Sequence, residues 1–208
     1  MHASLRHTVA TPPALPFQEE PRASRTTATP PVLLVPGLGD SGPDHWQSLW
    51  RRARPAFRRV VQDDFDVPDL GIWAAGVARA IDAARKPPIV VAHGFGCLAA
   101  IHAATFYRRR LAGALLVAPS DPQRWRVSPL LSHARLPFRA TLVASTNDPL
   151  LAHARAVAFA DVWGARLVTL PDAGHINADS GVGAWPQGLE LLDELTREPS
   201  ASETCGTA

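Results

Sequence analysis

Two short segments of this 208-residue chain carry an acid and a base where they can work together. Asp148 lies in Ser145-Thr146-Asn147-Asp148-Pro149, and His175 lies in Asp172-Ala173-Gly174-His175-Ile176-Asn177. Each directly follows an apolar run of strand type, and open parallel sheets bind ligands outside the carboxyl ends of their strands. A histidine oriented by a carboxylate serves acyl transfer as general base and then general acid. The carboxylate fixes its tautomer and stabilises the imidazolium. That chemistry needs a nucleophile upstream. The stretch Pro87-Pro88-Ile89-Val90-Val91-Ala92-His93-Gly94-Phe95-Gly96-Cys97-Leu98-Ala99-Ala100 reads as a buried strand, a tight turn and a closely packed helix. This is the setting in which G-x-S-x-G presents a serine. Ala92 and Gly96 hold the small flanking positions, and Gly94 stands where the serine belongs.

Glycine has no side chain to attack a carbonyl, so the covalent route is closed at this position. Loss of a triad nucleophile leaves a residual acceleration of about 10³–10⁴-fold over water. The same glycine relaxes the turn, because a residue with a side chain held there costs on the order of 1–3 kcal/mol. Candidate replacements are few. Cys97 lies one helical turn on and reads as a small packed residue. Ser41 faces the site or caps its own loop. Ser120 and Ser145 follow strands, but neither sits on a strand–turn–helix elbow. A water activated by His175 and Asp148 is the least contrived substitute, giving slow general-base hydrolysis of activated esters.

Stabilisation of a tetrahedral oxyanion falls to backbone amides. The loop Pro36-Gly37-Leu38-Gly39-Asp40-Ser41-Gly42-Pro43-Asp44-His45-Trp46 lets amides converge, and the N–H groups of Leu38 and Phe95 are the expected oxyanion hole. Ser41, Trp46 and Trp185 are the candidates for lining a substrate pocket, although tryptophans at these positions also suit a core. Asp172 competes with Asp148 for the acid role but reads as a turn carboxylate. His93 packs or hydrogen-bonds beneath the elbow. Asp44 and His45 lack a third partner with metal-ligand spacing, so no metal is expected.

The elements that must position these groups alternate along the chain. Buried strands are expected at 32–35, 89–91, 114–117, 140–144 and 166–170, with a weaker edge strand at 59–62. Helices are expected from an Asp44 cap through Trp50, and over 72–84, 95–107, 150–162 and 186–195. Residues 120–137 show no clear period and are expected to form a small cap or loop over the site. Continuous apolar strands between helices indicate an α/β fold: a mostly parallel sheet of five or six strands, covered on both faces. A single domain spans 31–197. Residues 1–30, rich in Pro, Thr, Ala and Ser, read as a disordered leader, and 198–208 as a disordered tail; an organelle transit peptide is the alternative for the leader.

A net charge of +2 with scattered basic residues gives no nucleic-acid surface, and Arg51, Arg52 and Arg54 read as a solvated helix end. No segment approaches the roughly 18 apolar residues that cross a membrane. Cys97 and Cys205 form no disulfide framework, which fits a reducing, cytoplasmic setting.

With these motifs in hand, the chain resembles the YdeN and retinoblastoma-binding-protein-9 family of small serine hydrolases. The likeness rests on Val35-Pro36-Gly37-Leu38-Gly39, Gly42-Pro43-Asp44-His45-Trp46-Gln47, Ala92-His93-Gly94-Phe95-Gly96-Cys97, Leu142-Val143-Ala144-Ser145-Thr146-Asn147-Asp148-Pro149 and Asp172-Ala173-Gly174-His175-Ile176-Asn177. Ser180-Gly181 and Trp185-Pro186 extend it, so that it covers about residues 31–195. The resemblance implies a three-layer α/β-hydrolase fold and hydrolysis of small carboxylic esters or related acyl bonds without a cofactor. It places the family's nucleophile at Gly94. Two functional readings follow: an esterase-like protein, inactive or strongly impaired, or a binding protein that holds a small carboxylate in its pocket or a protein partner on its surface.

Overall fold

The apolar runs become six parallel strands in the computed structural model, which describes residues 29–106, 110–131 and 135–197. The expected leader and tail lie almost wholly outside the described residues. The strands are β1 (Val32–Val35), β2 (Arg58–Arg59), β3 (Ile89–His93), β4 (Gly113–Val117), β5 (Ala140–Ser145) and β6 (Arg166–Leu170), in the spatial order β2-β1-β3-β4-β5-β6. The helices are α1 (Trp46–Ala53), α2 (Leu70–Asp82), α3 (Phe95–Thr105), α4 (Ser128–Leu131), α5 (His153–Trp163) and α6 (Pro186–Thr196).

Strand side chains alternate between faces, so one strand feeds two cores. Val32 and Leu34 pack with Trp46, Trp50, Trp185 and Leu192 under α1 and α6, while Leu33 and Val35 pack with Trp73, Val77, Leu98 and Trp163 on the other face. The result is three layers with both faces of a parallel sheet covered. β3 sits between β1 and β4, and its five residues are all buried. It therefore delivers the elbow to the middle of the sheet's carboxyl edge.

The edge strand differs from its expected position. The register with β1 pairs Arg58 and Arg59, and the Gln62 side chain donates to the Trp73 carbonyl at 3.3 Å. Val60 turns its side chain into the core beside α2 while its N–H still donates to the Leu34 carbonyl at 2.8 Å, and Val61 is exposed. Two helix starts also differ. His45, not Asp44, caps α1, its Nδ1 accepting the Gln47 N–H at 3.2 Å, and Asp44 is exposed. α5 begins at His153, three residues later than expected. Within 120–137, the described residues include the short helix α4 and Trp125, whose ring meets Phe95 edge-on at 5.4 Å. Among the described residues, no helix is long and apolar enough to cross a membrane.

Candidate active site

At the end of β3 the chain reverses sharply. Gly94 has φ 54° and ψ −124°, outside the allowed basins of residues with side chains. Its N–H donates to the Val117 carbonyl at 3.1 Å, and its carbonyl accepts the N–H of Cys97 and of Ser120. Two residues on, a Cβ at Gly96 would lie 2.3 Å from the Pro36 carbonyl oxygen and 2.8 Å from that of Val35. Only glycine allows α3 to start this close to β1. The elbow geometry is therefore intact, with a glycine at its apex.

His175 and Asp148 meet beside it. The imidazole Nδ1 lies 3.0 Å from both carboxylate oxygens of Asp148, whose side chain is only 3% exposed. An Nδ1–H donated to the carboxylate leaves Nε2 as a lone pair facing the elbow. A Cβ built on Gly94 would stand 3.3 Å from that Nε2. Asp172, in contrast, is exposed and accepts a hydrogen bond from Thr146.

Several polar contacts hold the two loops together. Asn147 Oδ1 accepts the Gly174 N–H at 2.7 Å, and Ser145 Oγ accepts the Ala173 N–H at 2.9 Å. The Trp46 indole N–H donates to the Ile176 carbonyl, and His93 Nε2–H donates to the carbonyl of His175, each at 2.9 Å. Thus His93 supports His175 from beneath the elbow. Ser145 serves the same scaffold.

Leu38 and Phe95, the residues expected to supply amide donors, line the same cavity. Phe95 is the first residue of α3, so its N–H has no intrahelical acceptor. In the loop after β1, Gly39 N–H donates to the Phe65 carbonyl and Asp40 N–H to that of Gly37, while Leu38 N–H takes no part in the backbone bonds found among the described residues. Gln47 fastens this loop to the sheet. Its amide nitrogen donates to the carbonyls of Val35 and Val91, both at 3.1 Å, and its oxygen accepts the Ser41 hydroxyl at 2.7 Å. Nothing in the sequence beyond its position in a motif marks Gln47, because its partners lie on two separate strands.

Three imidazoles stand in a row, His45–His93–His175, with 4.8 Å between successive ring centroids. Burial, reinforced by the charge that His175 can carry, pushes His45 down to about 4. The same causes, burial first, drive His93 well below its ordinary value. Two neutral rings therefore lie behind His175.

A cavity of about 360 Å³ opens in front, walled by Leu38, Phe95, Trp125 and Leu150 and reached by Ser120 and His175. The three expected lining residues are elsewhere. Trp46 is fully buried against Trp50 and Trp185, at 4.7 and 5.2 Å between centroids, because their large apolar surfaces fill the core under α1 and α6. Ser41 is turned away to Gln47. Trp125 supplies the aromatic wall instead, and Ser120 places Oγ 3.8 Å from where a Cβ of residue 94 would lie. Cys97 is fully buried, donates to the Val117 carbonyl, and has its thiol pushed far up by burial, so it supplies no thiolate. A second cavity of 390 Å³, lined by Val32, Leu33, Phe57 and Leu192 at the opposite end of β1, contains no comparable acid–base pair.

Comparison with known proteins identifies the family and the fold. A serine hydrolase family model matches residues 32–194. A protein of Pectobacterium atrosepticum described as a YdeN-like hydrolase is 38% identical, with a TM-score of 0.78 over 81% of this chain and 91% of that one. The ydeN gene product of Bacillus subtilis has a TM-score of 0.66 at 19% identity, covering 80% of this chain and 98% of its own. Est1E of Butyrivibrio proteoclasticus, solved with ferulic acid bound, shares the fold at 13% identity, with a TM-score of 0.60 over 81% of this chain and 90% of that one. Comparison with curated proteins yields no match. Family match, sheet order and elbow together place this chain in the serine hydrolase family, among its small YdeN-like members with the α/β-hydrolase fold.

Proposed function

We propose that this chain is an esterase-like serine hydrolase whose acyl-enzyme route is closed by Gly94, leaving turnover of carboxylic esters absent or strongly impaired. The supporting observation is the placement of His175 Nε2, oriented by Asp148 and 3.3 Å from where a Cβ on residue 94 would stand. A hydroxyl on that carbon falls within reach of the base. Asp148 is the orienting acid, His175 the general base and acid, and the N–H groups of Leu38 and Phe95 the oxyanion hole. The substrate is a small ester, matched to a cavity of 360 Å³ with an apolar wall. No cofactor enters this chemistry.

The test is covalent capture. Gly94→Ser should take up one equivalent of a fluorophosphonate, detected by intact mass, and Gly94→Ser/His175→Ala should not. A Gly94→Ser protein that stays unlabelled contradicts the proposal. The second reading, a non-catalytic protein holding a small carboxylate, is favoured by retention of the two amide donors beside a relaxed glycine. It gains if butyrate binds while Gly94→Ser remains inert. A protein partner on the surface belongs to the same reading.

A further inference from the structure

Ser120 stands on no elbow, yet the fold brings it to the reacting centre. It follows β4 and comes two residues after Ala118, whose φ of 44° bends the chain there. Its N–H donates to the Gly94 carbonyl at 3.2 Å, which pins the residue to the apex of the turn. The side chain is 4% exposed and lies on the cavity wall. A single point, the position a Cβ of residue 94 would take, is 3.3 Å from His175 Nε2 and 3.8 Å from Ser120 Oγ. An oxygen atom at or near that point has a base to accept its proton and a hydroxyl to fix its orientation.

Ser120 is badly placed to be the nucleophile itself. In an elbow, the amide that follows the nucleophile is a free oxyanion donor. Here the following amide, that of Asp121, donates to the Leu150 carbonyl at 3.3 Å.

We infer that Ser120 is a positioning residue that, with His175, holds a water beside Gly94 as the nucleophile of a slow hydrolysis of activated esters, with no acyl-enzyme. This rests on the proposed hydrolase function. In the first step the water oxygen bonds to the carbonyl carbon, and its proton passes to His175 Nε2. The tetrahedral oxyanion is held by the amides of Leu38 and Phe95. In the second, the bond to the leaving oxygen breaks, and His175 returns the proton to it. The products are the carboxylic acid and the alcohol or phenol.

The test follows p-nitrophenyl butyrate with the native protein, Ser120→Ala, Ser120→Thr and Gly94→Ser in parallel, each checked for a cooperative thermal transition. The native protein should exceed buffer without a burst and leave no acyl adduct on any serine. Ser120→Ala should lower kcat about five- to tenfold with KM little changed, the loss of one orienting hydrogen bond. Ser120→Thr, which keeps the hydroxyl, should recover most of it. An acyl group mapped to Ser120, equal kcat in native protein and Ser120→Ala, or a native rate no higher than buffer would each overturn the inference. If Gly94→Ser is active while the native protein is silent, only this inference fails; if both are silent, the proposed function fails with it. Should Ser120→Ala not fold, the comparison of native protein with Ser120→Thr and the adduct map still decide.

Discussion

Replacing Gly94 by alanine isolates the conformational cost of a side chain at the elbow from any chemistry. The space is nearly sufficient: the new Cβ would meet His175 Nε2 at 3.3 Å, so the imidazole must give by a few tenths of an ångström, while Gly37 Cα at 3.7 Å and Ser120 Oγ at 3.8 Å are ordinary contacts. The larger cost comes from the backbone, held at φ 54° and ψ −124° by the hydrogen bonds of Gly94 to Val117 and Ser120. Such strain is on the order of 1–3 kcal/mol. Alanine also restricts the unfolded chain, which returns about 0.4–1 kcal/mol. The net loss is about 1–2 kcal/mol, or a fall in Tm of about 2–8 °C for a domain of this size. Calorimetry of the native protein, Gly94→Ala and Gly94→Ser is the assay. Gly94→Ser should lie between the other two, since a hydroxyl bonded to His175 recovers about 0.5–1.5 kcal/mol. A Gly94→Ala protein as stable as the native one would refute the strain argument, and with it the reading of Gly94 as a relaxed elbow.

Other consequences are sharp. His45 and His93 are held neutral, with folded values lowered, the first to about 4, against 6.5 when exposed. The unfolded chain then binds more protons between pH 4 and 6.5, so stability is complete above 6.5 and falls with acid. The His45 shift alone removes about 1 kcal/mol between pH 7 and 5.5, and the lowering of His93 adds to that loss, measurable by urea titration at each pH; a flat profile would contradict the buried neutral pair. Gly96→Ala drives a methyl into two backbone carbonyls and should cost at least the upper end of about 1–3 kcal/mol, seen as a lowered urea midpoint or loss of soluble protein. In a Gly94→Ser background, Asp148→Asn should lower kcat by about 10⁴-fold with the fold retained, and near-equal rates would remove Asp148 from the acid role.

The fold was legible because its four central strands, β1, β3, β4 and β5, are largely apolar runs buried on both faces, punctuated by helices with an apolar stripe. Pairing was less so. Val60 and Val61 have strand-type side chains, but the ladder forms at Arg58 and Arg59, where β1 happens to lie alongside. Aspartate is a stronger N-cap than histidine by type, yet His45 takes the cap of α1 because its ring is anchored in the buried row with His93. At the site, chain order alone put Gly94, Asp148 and His175 in one constellation, and the structure brings them within contact distance. Trp46, Trp185 and Ser41 could not be separated from the core by sequence, since burial is decided by what α1 and α6 cover. Trp125 escaped, and Ser120 was weighed only as a replacement nucleophile, because their approach to Phe95 and Gly94 joins neighbouring strands and loops, with no local motif to announce it.

The most direct measurement is pre-steady-state hydrolysis of a short-chain aryl ester by the native protein and by Gly94→Ser under identical conditions. A burst of phenolate close to one equivalent from Gly94→Ser, with only a slow burst-free rate from the native protein, is the predicted result. It would mean that Asp148, His175 and the oxyanion amides form a complete machinery lacking only its nucleophile. No burst and no gain in Gly94→Ser, with the protein folded, would contradict that claim.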